Sequence, residues 1–232
     1  MKNLFKFSMV TTASLLITGC ALFQEDKNYN PVIDPAQFVK TVDNPYFPLV
    51  PGTIHRFRNN SDEGVRDNVI TVTSTTKVIL GVSCVVVHDV LTEGTGIVED
   101  TWDWFAQDHE GNVWYFGEDT KEYEHGRVST EGSWEAGVNG AKPGIAMPAK
   151  PKVGQIFRQE YLVGTAEDQA QVIALGEEVS TPAGTFTNCV KTKEWTRLEP
   201  GVLEHKYYAP GVGVVVEVTV EGGVERQELI GK

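Results

Sequence analysis

The chain has 232 residues, of which 32 are Asp or Glu and 20 are Lys or Arg, so its formal net charge is -12. Apolar residues make up 41% of the chain, which is typical of a globular protein. The acidic balance argues against the basic surface of a nucleic-acid-binding protein, and we expect no nucleic-acid partner. Three Cys in a chain of this length exclude a disulfide-dense mini-domain.

The first twenty residues have the pattern of an export signal. Lys2 and Lys6 precede a short, mainly apolar run over 7–17, and small residues then lead to Cys20. A positive end, a short apolar stretch and small residues are typical of a secretory signal peptide. The run is too short to span a bilayer as a mature helix. An ordinary signal peptide with a Cys at this place by chance remains the alternative.

The segment Ile17-Thr18-Gly19-Cys20 resembles the lipobox of bacterial lipoprotein precursors. The resemblance implies removal of residues 1–19, a diacylglycerol on the Cys20 thiol and often an acyl chain on the new N-terminus. Each buried CH₂ contributes about 0.8 kcal/mol, so two or three chains anchor a protein firmly to a membrane. The residue after Cys20 is Ala21, whereas an Asp there retains lipoproteins of enteric bacteria in the inner membrane. The resemblance therefore implies the outer membrane, facing the periplasm, with residues 20–44 as lipid anchor and polar tether.

The body beyond residue 44 has the pattern of strands and turns. Short runs of Val, Ile, Thr and aromatic residues alternate with clusters of Gly, Pro, Asn and Asp, and no stretch keeps a helical period. We expect an all-β fold with few helices, an antiparallel curved sheet or open barrel. In chain order, the predicted strands are Ile54–Arg58, Asn68–Ile79, Ser83–Leu91, Val98–Gln107, Asn112–Gly117, Gln155–Gly164, Gln169–Glu178, Phe186–Trp195, Val202–Ala209, Gly213–Val220 and Gly223–Leu229.

Two parts of this body are similar to each other. Gly52-Thr-Ile-His-Arg matches Gly154-Gln-Ile-Phe-Arg, and Trp104-Phe-Ala aligns with Tyr207-Tyr-Ala, in the same order and at similar spacing. We interpret this as a duplication of one multi-strand unit within a single compact body. The alternative is that any two antiparallel meanders look alike.

The duplication divides the body into a first β unit, 45–126, and a second β unit, 153–232. Between them, residues 127–152 are rich in Gly and Pro and are predicted to form a connecting loop. A loop of this length is either functional, for example a lid, or a plain connection across the sheet.

Four segments of the body resemble an uncharacterised group of bacterial secreted and lipid-anchored proteins. They are 43–52, 99–108, 111–119 and 207–213. The resemblance covers most of the mature chain and implies no particular activity. The expected architecture is also loosely similar to periplasmic lipid-handling proteins built as a half-barrel over a helix layer, although no motif carries that likeness.

Cys84 and Cys189 occupy corresponding places in the two β units. In an oxidising compartment, and with Cys20 acylated, they are the remaining Cys pair, so a disulfide between them is one expectation. It would stabilise the fold by about 4–5 kcal/mol in the chain-entropy account. Two separate buried thiols are the alternative. Neither Cys has the sequence context of a reactive thiol.

Aromatic and acidic residues are concentrated in 99–119. On one predicted strand, Asp100, Trp102 and Trp104 share a face, and Trp114 and Phe116 share a face of the next strand. With Tyr207 from the second unit, these aromatic residues are candidate contacts for a lipid or another small apolar ligand. Cross-strand pairs in the core are the alternative.

Calcium is the one cofactor that this acidic segment suggests. Asp100 and Asp103 are candidate oxygen ligands for Ca²⁺, since this ion prefers hard carboxylate donors. The fragment 108–112 has calcium-loop spacing but lacks the rest of the loop, and a hairpin turn explains it equally well. No other cofactor is expected.

The chain contains none of the common catalytic motifs. The sequence therefore favours a non-catalytic lipoprotein, anchored to the membrane by lipid, which binds an apolar or amphipathic ligand or serves an envelope protein complex. A purely structural or interaction lipoprotein with a closed interior is the first alternative. An envelope hydrolase that pairs His88 or His205 with a carboxylate from a distant strand is the second.

Overall fold

The structure is a computed structural model that describes residues 29–124 and 126–232. The predictions for the signal peptide, for Cys20 and for the first part of the tether lie outside the described residues. The chain divides into two parts, Met1–Asn30 and Pro31–Lys232, and the second part is the β body. No helix in the described part of the chain is long and apolar enough to cross a membrane.

The prediction of an all-β fold is confirmed, because the described residues form 16 strands and one short 3-10 helix, Pro35–Gln37. The strands are β1 (Phe38–Val39), β2 (Ile54–Ser61), β3 (Gly64–Ile79), β4 (Val82–Glu93), β5 (Gly96–Asp108), β6 (Val113–Glu124), β7 (Arg127–Ser129), β8 (Trp134–Glu135), β9 (Lys142–Met147), β10 (Ile156–Arg158), β11 (Glu160–Tyr161), β12 (Gln169–Thr181), β13 (Gly184–Trp195), β14 (Leu203–Ala209), β15 (Gly213–Glu221) and β16 (Arg226–Gly231).

The strand order brings the two edges of the sheet together. The strands follow the order β10-β12-β13-β14-β15-β16-β2-β3-β4-β5-β6-β9-β11, and β1, β7 and β8 pair with strands inside this path. All neighbours are antiparallel. The two ends of the path, β10 and β11, are separated in sequence by Gln159 alone. The sheet of the β body is therefore nearly closed into a barrel.

Local sequence explains the tight hairpins. The β3–β4 turn consists of Leu80 and Gly81, with φ of 50° and 81°. Two successive positive φ values match the twist of a two-residue hairpin, at some steric cost to Leu80. In the β5–β6 turn, Asp108 accepts hydrogen bonds from the backbone and side-chain amides of Asn112, at 2.9 and 2.8 Å, and Gly111 supplies a φ of 95°. This is the hairpin turn that the sequence predicts.

The hydrogen bonds at the start of the two β units correspond. The Gly52 amide donates to the Val72 carbonyl at 2.8 Å, and the Gly154 amide donates to the Val172 carbonyl at the same distance. The two glycines have φ of 90° and 87°. Each unit then continues as an antiparallel meander, and β16 connects them by pairing with both β15 and β2.

The segment 127–152, predicted as a connecting loop, contributes to both the sheet and the core. Its strands β7, β8 and β9 all pair with β6. Trp134 and Met147 from this segment are buried in the main hydrophobic cluster. The high Gly and Pro content thus accompanies short strands that pack against the sheet.

The predicted disulfide between Cys84 and Cys189 is wrong, because both residues are free, buried cysteines. Cys84 lies on β4 and Cys189 on β13, and the sheet path places β14, β15, β16, β2 and β3 between them. They also belong to different hydrophobic clusters. Desolvation raises the pKa of both thiols, that of Cys84 to about 12, so both are protonated and unreactive at neutral pH.

Candidate functional site

One face of the sheet is buried along most of its length, and we call it the inner face. Residues that are direct partners on neighbouring strands share a face. Lys206 on β14 is the partner of Glu217 on β15, which is in turn the partner of Gln227 on β16. Gln227 is the partner of Asn59 on β2, and Asn59 pairs with β3. On the other side of β3, Val87 on β4 leads to Asp103 on β5. Polar side chains from both β units therefore lie on the same inner face.

The first polar group on this face is the acidic centre, which we define as Asp89, Asp103, Tyr115 and Glu118. Asp103 and Glu118 are partners on β5 and β6 and are only 2% and 3% exposed. The Tyr115 hydroxyl lies 2.7 Å from Asp103 Oδ1 and 2.8 Å from Glu118 Oε2. A phenol has one proton and can donate to one of these oxygens. The second contact is a hydrogen bond only if that carboxyl is protonated and donates to the phenol oxygen. Both contacts are hydrogen bonds when one of the two carboxyls is protonated.

Burial explains why this proton is retained. Desolvation raises the pKa of Asp103 and raises that of Glu118 to about 7, although the hydrogen bond from Tyr115 opposes both changes. Desolvation also raises the pKa of Asp89, and the charges of Asp103 and Glu99 add to this effect. Glu99, at the edge of the group, has its pKa raised to about 7, mainly by desolvation. The acidic centre therefore changes its protonation near neutral pH.

Two buried polar atoms beside this centre have no hydrogen-bond partner among the described residues. One is Glu118 Oε1 and the other is Trp134 Nε1. Trp134 is 4% exposed, is the strand partner of Glu118, and packs its indole edge-on against Tyr115, with ring centroids 5.2 Å apart. A buried polar atom without a partner costs about 1–3 kcal/mol. The first of these atoms is an acceptor and the second a donor, and they belong to side chains that are strand partners.

The second polar group is the lysine centre, which we define as Lys206, Glu194, Glu217 and Tyr208. Lys206 is 5% exposed, and its Nζ lies 3.2 Å from Glu194 Oε2 and 3.3 Å from Glu217 Oε2. Glu194 accepts three further hydrogen bonds, from Thr192 Oγ1 at 2.7 Å, Tyr208 Oη at 2.9 Å and Gln159 Nε2 at 3.1 Å. Both Glu194 oxygens are thus fully engaged.

The charges of the lysine centre stabilise one another. Desolvation lowers the pKa of Lys206, but the carboxylates of Glu194 and Glu217 raise it by more. The pKa of Lys206 therefore lies well above its ordinary value. Desolvation raises the pKa of Glu194, yet Lys206 and the hydrogen bonds bring it below its ordinary value. For the neighbouring Glu204, desolvation and the charge of Glu217 raise the pKa to about 9, because they outweigh the opposing charge of Lys206.

Trp102 and Trp104, predicted to bind a ligand, lie on the opposite, outer face of β5. Trp102 stacks on His88 with ring centroids 3.9 Å apart, and His88 Nε2 lies 2.9 Å from Asp100 Oδ1. Trp104 is 6% exposed, and Lys77 Nζ lies 3.2 Å from its ring centroid. Both indoles are already paired with side chains of the protein.

Two of the other predicted aromatic contacts lie on β6, the strand next to β5, and the third lies on β14. Trp114 and Phe116 both pack edge-on against Phe38, at centroid distances of 6.2 and 5.6 Å. Tyr207 lies in the second unit, with Lys191 Nζ 5.0 Å from its ring. The structure therefore places Trp102, Trp104, Trp114 and Phe116 on two neighbouring strands within one hydrophobic cluster, whereas Tyr207 packs against the other cluster.

The two predicted calcium ligands are also separated. Asp100 contacts His88 on the outer face, whereas Asp103 contacts Tyr115 on the inner face. Residues three apart on a strand face opposite ways. Within residues 29–124 and 126–232, no group of three or more His, Cys, Asp or Glu is arranged to hold a metal ion.

The sequence did not indicate Tyr115 or Trp134 as site residues, nor any member of the lysine centre. Part of the signal was present, because Asp103 lies between Thr101 and Phe105 on one face of a predicted strand. A charged residue beside an aromatic one on the same face indicates a polar position in the interior. The pairing of Lys206 with Glu194 depends on the register of β13 and β14, which the sequence does not show.

No protein-family model matches this chain, and no curated protein is significantly similar to it. The crystal structure of a proposed lipoprotein from Parabacteroides distasonis ATCC 8503 matches 81% of this chain and 97% of that chain. The TM-score is 0.47 and the sequence identity 15%. A likeness at this level carries no argument about this chain, so its site is interpreted from its own residues.

Proposed function

We propose that this chain is a lipid-anchored, non-catalytic binding protein of the cell envelope, which holds a small amphipathic ligand by its polar group at the acidic centre. The lipobox-like residues 17–20 support the anchor, and Ala21 supports an outer-membrane position facing the periplasm. The acidic centre supports binding, because it combines buried polar atoms with a protonation state that a ligand can change.

The observation that carries the binding proposal is Glu118 Oε1, an acceptor that is buried without a partner among the described residues. Glu194 shows the contrast, since each of its oxygens has two partners. Proteins rarely leave a buried carboxylate oxygen unsatisfied, because its desolvation is costly. A ligand donor at Glu118 removes that cost.

The arrangement around the candidate catalytic histidine favours binding over hydrolysis. His88 contacts Asp100, as in an acid–base pair, but both lie on the outer face and the ring is stacked on Trp102. Among the described residues, no Ser, Thr or Cys side chain is hydrogen-bonded to His88. A hydrolase needs a nucleophile within hydrogen-bond reach of its base.

Native mass spectrometry of the full-length protein, solubilised from membranes in detergent, tests the proposal. We expect a non-covalent adduct on the wild type that is lost from the Glu118→Gln variant. Asp119→Asn is the matched control, because Asp119 is the exposed neighbour of Glu118 on β6, and this variant should keep the adduct. A wild-type protein without any adduct would contradict the proposal and leave an interaction lipoprotein with a closed interior.

A further inference from the structure

The registers of the two β units place their inner-face residues in equivalent rows. In the first unit the row is Val72, Val87, Asp103, Glu118. In the second unit it is Val172, Thr192, Lys206, Glu217. Both units also have a register shift at the same point, after Trp104 and after Tyr207. Asp103 thus occupies the position that Lys206 occupies in the other unit.

The neighbouring row extends this equivalence to the flanking carboxylates. Asp89 pairs with Thr101 in the first unit, and Glu194 pairs with Glu204 in the second. Asp89 is therefore the equivalent of Glu194, just as Glu118 is the equivalent of Glu217. Both units place two carboxylates around the central position, but the central side chain has opposite charge.

In the second unit the two carboxylates share the Lys206 ammonium group, with N–O distances of 3.2 and 3.3 Å. In the first unit the equivalent carboxylates, those of Asp89 and Glu118, flank a third carboxyl group, that of Asp103. Within the part of the chain that the structure describes, no Lys or Arg forms an ion pair with Asp89, Asp103 or Glu118. Among the described residues, the first unit therefore has a carboxyl group at the position where the second unit has the lysine.

We infer that the ligand of the acidic centre carries an organic ammonium group, which binds Asp103 and Glu118 as Lys206 binds Glu194 and Glu217. This inference rests on the proposed function and names the ligand class. Trp134 Nε1 supplies a donor beside the carboxyls, so the ligand also carries an oxygen acceptor near its nitrogen. An indole N–H is an unsuitable neighbour for a bare metal cation but suits an amino alcohol or amino sugar.

Binding of the ammonium releases a proton. Before the ligand binds, a protonated carboxyl group donates the second hydrogen bond to the Tyr115 oxygen. The ammonium replaces that proton as the source of positive charge, so the O–H bond breaks and the proton passes to water. Because burial raises the pKa of Glu118 to about 7, the proton is held mainly below neutral pH. Affinity should therefore rise with pH, by up to about tenfold per pH unit below that point.

The carboxyl groups around Glu118 favour this direction, and the Tyr115 hydroxyl opposes it. Asp103 and Glu99 on β5 raise its pKa, and Tyr115 on β6 donates a hydrogen bond that lowers it. Asp89 on β4 and Glu160 on β11 add negative charge to the same region, since each acts on a member of the centre. Negative charge on several strands makes an added cation more favourable there.

Calorimetric titration of the full-length, detergent-solubilised protein tests the inference. The probes are ethanolamine, the uncharged ethylene glycol and CaCl₂, at equal ionic strength and at about pH 6 and about pH 8. We expect ethanolamine to bind, at least about tenfold more weakly at the lower pH, with proton release detected in buffers of different ionisation enthalpy. Ethylene glycol should not bind.

The variants separate the ligand class from the site. Glu118→Gln and Asp103→Asn should each abolish ethanolamine binding, and Asp119→Asn should retain it. Equal binding of ethylene glycol, preference for Ca²⁺, or a co-purified ligand without an amine would overturn the ammonium inference but leave the proposed binding function. If no probe binds and no adduct is detected, both the ammonium inference and the proposed binding function are overturned. The comparison of probes on the wild type holds even if a variant does not fold.

Discussion

Replacing Lys206 by Met should destabilise the protein strongly, because it removes the cation of the lysine centre but leaves its carboxylates. The Lys206 Nζ is within 3.3 Å of both Glu194 and Glu217, and all three residues are buried. Removal of one partner from a buried ion pair costs about 3–5 kcal/mol. For a domain of this size, each kcal/mol corresponds to about 2–4 °C in Tm. We therefore expect Tm to fall by about 6–20 °C at neutral pH.

The pH dependence distinguishes this cause from lost packing. In the wild type the folded-state pKa of Glu194 is depressed, so its contribution to stability is present above its unfolded pKa and is lost as pH falls through the folded value. In the Lys206→Met variant Glu194 lacks this cation, and desolvation, the largest effect on its pKa, then raises the pKa. The contribution of Glu194 to stability is then lost as pH rises. The difference in Tm between wild type and variant should grow from about pH 5 to about pH 8.

Differential scanning fluorimetry over this pH range measures the effect, with Lys150→Met as the control at an exposed lysine. The control should change stability by less than about 0.5 kcal/mol. A Lys206→Met variant that loses no more stability than the control, or one whose loss is independent of pH, would refute the reasoning.

Three further predictions follow from the anchor, the thiols and the acidic centre. A Cys20→Ser variant should be released as a soluble protein of unprocessed length, and its persistence in the membrane fraction on ultracentrifugation would contradict a lipid anchor. Alkylation in denaturant without reductant should modify both Cys84 and Cys189, as mass spectrometry will show, and a mass corresponding to a disulfide would oppose the structure. The raised pKa of Glu118, about 7 against an ordinary 4.5, means that its stabilising contribution is complete below about 4.5 and is lost as pH rises through 7. Glu118→Gln, which resembles the protonated acid, should therefore have a higher Tm than the wild type at about pH 8, whereas equal or lower Tm values there would be inconsistent with this assignment.

Local patterns in the sequence predict the strands and the hairpins of this fold. The alternation in 99–107 and the turn at Asp108 and Gly111 depend on neighbouring residues, and the structure shows both. The strands in 127–152 are harder to predict from sequence, because short strands with Gly and Pro have too few residues to establish a period. Its buried Trp134 and Met147 become recognisable as core residues only once β6 is in place.

The candidate site was less predictable, because it depends on which strands are neighbours. Corresponding positions in the two meanders lie one whole unit apart in the sheet, which explains why Cys84 and Cys189 do not meet. The acidic segment predicts Asp103 as a metal ligand together with Asp100, although the alternation of a strand places these two side chains on opposite faces. The pairing of Lys206 with Glu217 and of Asp103 with Glu118 follows from cross-strand registers that no local pattern encodes.

The short stretch that joins the two sheet edges links barrel closure to the interior charges. Gln159, between β10 and β11, donates a hydrogen bond to Glu194 of the lysine centre. The next residue, Glu160, is near enough to raise the pKa of Tyr115 in the acidic centre. Correct closure therefore brings consecutive residues to both centres at once, whereas a slip of one residue would turn both side chains to the opposite face. The buried charges thereby help to select the one register in which the barrel can close.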